Sequence, residues 1–170
     1  KRTLERLYQR RVAHNRIITP ELGRHLASIS REIGRQVGVL VNRRGQVEAV
    51  CVGDAHRIYL PDLGRQRAGQ SSLRGVRHIH TVMGKADLHR DDLADLTKLR
   101  LDMVCALSVT DEGRPDELTY ALLNPRAKKA SKSVDRVTQD RYRSIHECDV
   151  DFEFLIDELE RELGRQTRGR

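Results

Sequence analysis

At 170 residues, 38% of them hydrophobic and 34% charged, the chain is long enough to bury one core and is not disordered by composition. Four Tyr, two Phe and no Trp leave the core to Leu, Ile, Val and Ala, and no apolar run approaches the roughly 18 residues that a membrane span needs. The net charge of +7 favours a polyanionic partner, nucleic acid first, although basic proteins that bind no polyanion are common.

In chain order, Leu4, Leu7, Tyr8 and Val12 have helical spacing and predict a short first helix. Thr19-Pro20-Glu21-Leu22 is a helix start, with Thr at the N-cap, Pro in the first turn and an acid beside it. Leu22, Leu26, Ile29 and Ile33 then share one face, with Arg24, Ser28, Arg31 and Arg35 opposite, and Gly34 or Gln36 ends the helix. The unbroken apolar run Val37 to Val41 suits a central strand. Asn42-Arg43-Arg44-Gly45-Gln46 is a turn, and Val47 to Val52 returns as the second strand of a hairpin.

Gly53-Asp54 breaks that strand, His56 to Leu60 is read as a third, and Pro61 to Ser72 as a loop. Val76 to Thr81 follows as a strand, Asp91 to Leu99 as a helix on Leu93, Leu96 and Leu99, and Met103 to Val109 as a strand. Thr110-Asp111-Glu112-Gly113 turns the chain into a last strand from Leu118 to Leu123. The expected fold class is α/β, a mixed sheet flanked by helices in three layers, like JAMM and cytidine-deaminase domains.

The first domain is expected to span 1–125. From Arg126 to His146 there are seven Lys or Arg against two Asp and few apolar residues, which reads as a basic linker over 126–148. Residues 149–170 carry a helical stripe of Phe152, Leu155, Ile156, Leu159 and Leu163, read as an isolated helix that starts a further domain. Cys51 and Cys105 lie in apolar runs, Cys148 stands apart, and no C-x-x-C occurs, so a cysteine zinc knuckle is excluded. A reducing cytosol, and hence a cytoplasmic protein without a membrane partner, fits that usage and the lack of a signal-peptide pattern.

Three kinds of chemistry can be weighed. A metal site would draw on His78, His80, Asp91 and Asp92, because histidines at i and i+2 of a strand face one side and an acid from the next helix can close the set. The JAMM hydrolase motif is similar: a Glu, then H-x-H, a loop, Ser and Asp. Counted from His80, Asp91 falls where the Asp belongs, but Leu88 stands in place of the Ser and Arg35 near the place of the Glu. Shifted to His80-Thr81-Val82, the motif loses its second histidine. The sequence therefore favours no catalytic metal, with His80 bonded to Asp91 or Asp92 instead. Nucleophilic catalysis has less to offer, since Ser71-Ser72 lack a strand-turn-helix elbow. Phosphate contact is the third: Arg65, Arg67, Arg74 and Arg77 form one basic group, and Arg126, Lys128, Lys129, Lys132, Arg136, Arg141 and Arg143 another. With few aromatics to stack bases, sequence-specific single-strand reading is disfavoured. Neither G-x-x-x-x-G-K-[ST] nor G-x-G-x-x-G occurs, so these residues hold no P-loop.

Several segments together resemble the amino-terminal region of the longer HflX-type GTPases, which carry an extra leading domain. They are Leu4-Glu5-Arg6-Leu7-Tyr8, Ile18-Thr19-Pro20-Glu21-Leu22, Gly34-Arg35-Gln36-Val37-Gly38-Val39-Leu40 and Val52-Gly53-Asp54-Ala55. Arg57-Ile58-Tyr59-Leu60-Pro61-Asp62-Leu63-Gly64, Asp91-Asp92-Leu93-Ala94-Asp95-Leu96 and Leu99-Arg100-Leu101-Asp102 complete the set. Where the family tends to show H-T-H, this chain has His80-Thr81-Val82. The resemblance implies an accessory module of a ribosome-associated GTPase that acts on the large subunit and separates subunits. It implies no cofactor in this part, with GTP and Mg bound by a later domain, and the stripe from 151 to 163 as the opening of the family's usual N-terminal domain. Expected partners are large-subunit ribosomal RNA, through Arg65, Arg67, Arg74, Lys128, Lys129, Lys132 and Arg141, and the chain's own GTPase domain. A module acting only within its own chain and a JAMM-like metal hydrolase are the alternatives.

Overall fold

Helix α2 (Pro20–Ile33) is set by its ends. Thr19 Oγ1 accepts a hydrogen bond from the Leu22 amide at 3.3 Å, Pro20 occupies the first turn, and Gly34 closes the helix at φ 65° with its amide on Ser30 O. Before it come α1 (Arg2–Glu5) and a 3-10 turn over Arg6–Gln9, which bury Leu7. The computed structural model describes residues 2–13, 16–61, 73, 75–123 and the backbone of 137–142.

The strands are β1 (Val37–Val41), β2 (Val47–Val52), β3 (Arg77–Met83), β4 (Met103–Val109), β5 (Pro115–Leu123) and β6 (Val137–Tyr142), with α3 (Arg90–Lys98) between β3 and β4. They form one six-stranded mixed sheet in the order β2-β1-β3-β4-β5-β6. Among the described strands only β3 and β4 pair in parallel, and α3 makes the crossover that a parallel pair requires. β1 and β4 are buried along their whole length, which is why both read as continuous apolar runs rather than as alternating strands.

Strand alternation divides the core in two. Val37, Val39, Val41, Ile79, Met103, Cys105 and Leu107 meet Leu22, Leu26 and Ile29 of α2, while Leu40, Val104 and Ala121 meet Leu96 of α3. A helix therefore covers each face and the fold is α/β in three layers, as the sequence implies. The hairpin also forms as expected. Asn42 Oδ1 accepts from the Arg44 and Gln46 amides, and Gly45 takes φ 76° where a Cβ would lie 1.8 Å from Val12 O. No helix among the described residues is long and apolar enough to cross a membrane.

Four expectations need correction. His56 to Leu60 is not a strand: Asp54 Oδ1 accepts from the His56 and Arg57 amides at 2.7 Å each, and the Asp54 amide returns to Arg57 O, so the chain curls on itself instead of pairing. Ile33 stands at the end of α2 with 39% of its surface exposed, outside the buried stripe. Arg77 is no surface cation but is 2% exposed and donates to Arg16 O, and burial lowers its pKa to about 10 against the pull of Asp102 and Cys105. Within the segment read as a basic linker, 137–142 pairs antiparallel with β5 as β6. An edge strand requires backbone partners more than apolar side chains, so charge did not prevent it. The helix expected in 149–170 lies outside the described residues.

Candidate functional site

The site lies on the α3 face of the sheet. His78 and His80, two residues apart on β3, both project from that face, with ring centroids 4.9 Å apart and planes inclined by 28°. Both are 2% exposed. Across the ladder His80 is opposite Gly38 of β1. A Cβ at Gly38 would come within 3.0 Å of His78 Nε2, 3.0 Å of His80 Cβ and 2.9 Å of Ile58 Cδ1. Only glycine leaves room there for two imidazoles beneath Ile58.

Asp92 enters from the first turn of α3. His89 is the N-cap: its Nδ1 accepts from the Asp91 amide at 3.2 Å, and Asp92 Oδ2 accepts from the His89 amide at 2.8 Å, a reciprocal capping box. This box fixes the carboxylate so that its other oxygen, Oδ1, lies 3.0 Å from His80 Nε2. The two atoms are within ion-pair distance, yet the oxygen lies off the direction of a ring N–H, so no aligned hydrogen bond joins them. The other nitrogen, His80 Nδ1, is 3.2 Å from Thr81 O. A carbonyl only accepts, so Nδ1 carries the proton in that contact.

Burial shapes the titration of the cluster. It pushes the His78 imidazolium down to a pKa of about 3, helped by like charge on His80 and opposed by Asp92, so His78 is neutral near pH 7. Burial alone would raise the Asp92 carboxyl, but His80 and the His89 amide outweigh it and hold the group below its ordinary value. One ligand-type atom from each of His78, His80 and Asp92 lies within 4.8 Å of the others. His78 Nε2 is buried without a hydrogen-bond partner.

Of the expected metal set the fold thus gathers His78, His80 and Asp92 and leaves out Asp91, which is exposed and 3.4 Å from His89 Nδ1. The acid beside His80 is Asp92, at ion-pair distance but without the aligned hydrogen bond that the sequence suggests. Among the expected RNA contacts, Arg65, Arg67, Arg74, Lys128, Lys129 and Lys132 lie outside the described residues. Arg141 sits on β6 opposite Thr119, with only its backbone described. A basic flank not singled out from sequence is formed near the start of the chain. Arg10 Nε donates to His25 Nδ1 at 3.3 Å, and His25 is held below its usual pKa by burial and by the charges of Arg10 and Arg6.

Sequence reasoning also passed over Gly38 and Ile58. An isolated glycine inside the apolar run of β1 is the signal that marks a close approach of other groups.

No family model and no curated protein matches the chain. A solution structure of a protein from Salinibacter ruber is similar over 78% of this chain and 94% of that one, at 19% identity and a TM-score of 0.37. That likeness is too distant to carry an argument about fold or function.

Proposed function

We propose that the chain is the leading accessory module of an HflX-type, ribosome-associated GTPase, working by contact rather than by chemistry of its own. The observation that carries this reading is the convergence of separate HflX-like segments on one three-dimensional cluster. Gly38 of β1, Ile58 of the 53–61 turn and Asp92 of α3 all meet at His78 and His80. The neighbouring cations Arg6 and Arg10 support a phosphate-bearing partner; beside them His25 is held below its usual pKa first by burial and then by their charges. In this reading the basic segment from Arg126 to Arg143 adds contacts, and GTP and Mg belong to another domain of the parent protein.

A finer fold kinship with JAMM and cytidine-deaminase domains fits the order of histidine strand, acidic helix and parallel strand. The hydrolase alternative draws on His78, His80 and Asp92. Against catalysis, these residues are 2%, 2% and 7% exposed, whereas a catalytic metal keeps a position open to substrate.

The test is co-sedimentation of the chain with large ribosomal subunits across a salt series, beside an Arg6→Ala/Arg10→Ala variant and a Lys128→Ala/Lys129→Ala/Lys132→Ala variant. Each phosphate contact removed should lower the steepness of the log–log salt dependence by about 0.7–0.9. Binding with equal slopes in all three proteins would refute the RNA contact and favour a module acting only within its own chain.

A further inference from the structure

The three polar groups that meet between β3 and α3 are not satisfied by one another. The close approach of His80 to Asp92 leaves His78 Nε2 buried and without a partner. It also leaves His80 Nε2 and Asp92 Oδ1 3.0 Å apart without an aligned hydrogen bond. Orphaned ring nitrogens at 2% exposure are costly and rare in a folded protein.

We propose that His78 Nε2, His80 Nε2 and Asp92 Oδ1 bind one divalent transition-metal ion of the zinc class, in a closed centre that fastens α3 to β3. The donor set selects the ion, because two imidazoles and a carboxylate suit zinc and its neighbours, whereas calcium and magnesium take oxygen ligands. The atoms behind the donors are those of a metal site. His80 Nδ1 faces the Thr81 carbonyl at 3.2 Å, the outer contact that turns the lone pair of Nε2 toward a metal. Asp92 Oδ2 is held by the His89 amide at 2.8 Å, leaving Oδ1 to the site. Space is provided as well, since the Cβ that Gly38 lacks would lie 3.0 Å from His78 Nε2. With every donor nine-tenths buried or more, the centre is structural, and the fourth position falls to a small ligand such as water.

The experiment uses the whole chain, stripped with a chelator, dialysed and titrated with cobalt(II). One equivalent should bind with the ligand-field bands of a nitrogen–oxygen site, and zinc should displace it and raise the melting temperature. His78→Gln, His80→Gln and Asp92→Asn should each weaken binding by more than the roughly 10–100-fold that loss of an outer-shell partner costs. Asp91→Asn, an exposed neighbour outside the cluster, should bind as the parent does. Circular dichroism checks that each variant folds. If a ligand variant does not fold, the parent protein decides: perturbation of the His78 and His80 ring nitrogens by one equivalent of zinc supports the site, and unchanged rings overturn it. No cobalt bound by the parent, a thiolate-to-cobalt charge-transfer band, or equal binding by all the variants would also overturn it.

Discussion

Gly38→Ala tests the packing of the cluster most sharply. The added methyl would meet Ile58 Cδ1 at 2.9 Å, His78 Nε2 at 3.0 Å and His80 Cβ at 3.0 Å. Ile58 is half-buried and its terminal methyl can swing away, but His78 and His80 are fixed in the central sheet and cannot retreat without moving the contact to Asp92. Overpacking costs about 1–3 kcal/mol. With two of three neighbours rigid, a loss of about 2 kcal/mol is expected, or roughly 4–8 °C in melting temperature for a chain of this size. The assay is urea and thermal unfolding of the variant alone and combined with Ile58→Val, which deletes the nearest contact. The second change should recover at least about 0.5 kcal/mol of the loss, giving a non-additive cycle. Gly34→Ala is the comparison: nothing lies within 4 Å of its Cβ, but φ is +65°, so its cost of about 1–2 kcal/mol should not depend on Ile58. A Gly38→Ala protein within about 0.5 kcal/mol of its parent, or strictly additive effects, would refute this account of the site.

Acid should weaken the metal-stripped fold through His78. Its pKa is depressed to about 3 from 6.5, so the unfolded chain takes up the proton first and stability falls as pH drops from about 6.5 toward 3. The loss should reach about 2 kcal/mol at pH 5 relative to pH 7, read by urea unfolding in chelator, and a folded His78→Gln variant should show a markedly flatter profile. Asp92→Ala should cost at least about 1–2 kcal/mol by removing half of the α3 capping box, whereas Asp91→Asn should change thermal stability by less than about 0.5 kcal/mol. Because the sequence holds no P-loop spacing, the chain should show no saturable binding of a labelled GTP analogue at micromolar concentration.

Features written in local chemistry were legible from the residues alone. Thr19 and Pro20 start α2 and Gly34 ends it, and Asn42 and Gly45 turn the hairpin, because each acts within a few residues of itself. Features that depend on a distant partner were not. The stretch from His56 to Leu60 has strand-like residues, but Asp54 draws its amides into a turn before a neighbour can pair with them. β6 lacks an apolar pattern because the backbone of β5 supplies its bonds. Arg77 looked like a surface cation until the sheet enclosed both faces of its strand. At the site, period-two spacing placed His78 and His80 together, but only the capping box distinguishes Asp92, turned inward, from the exposed Asp91. The spacing from His89 to Asp92 is that of a capping box, but His and Asp are not its usual residues, so the box shows only in the structure.

The central structural claim is that His78, His80 and Asp92 face one point in the molecule. Long-range proton–nitrogen NMR of the histidine side chains tests it directly, in the stripped chain and after one equivalent of zinc. The account predicts that His78 and His80 both shift at Nε2 from the free toward the metal-bound range, His80 Nδ1 keeps its proton on Thr81 O, and His25, His56 and His89 stay unchanged. A shift confined to the exposed histidines, or His78 and His80 insensitive to zinc, would contradict it.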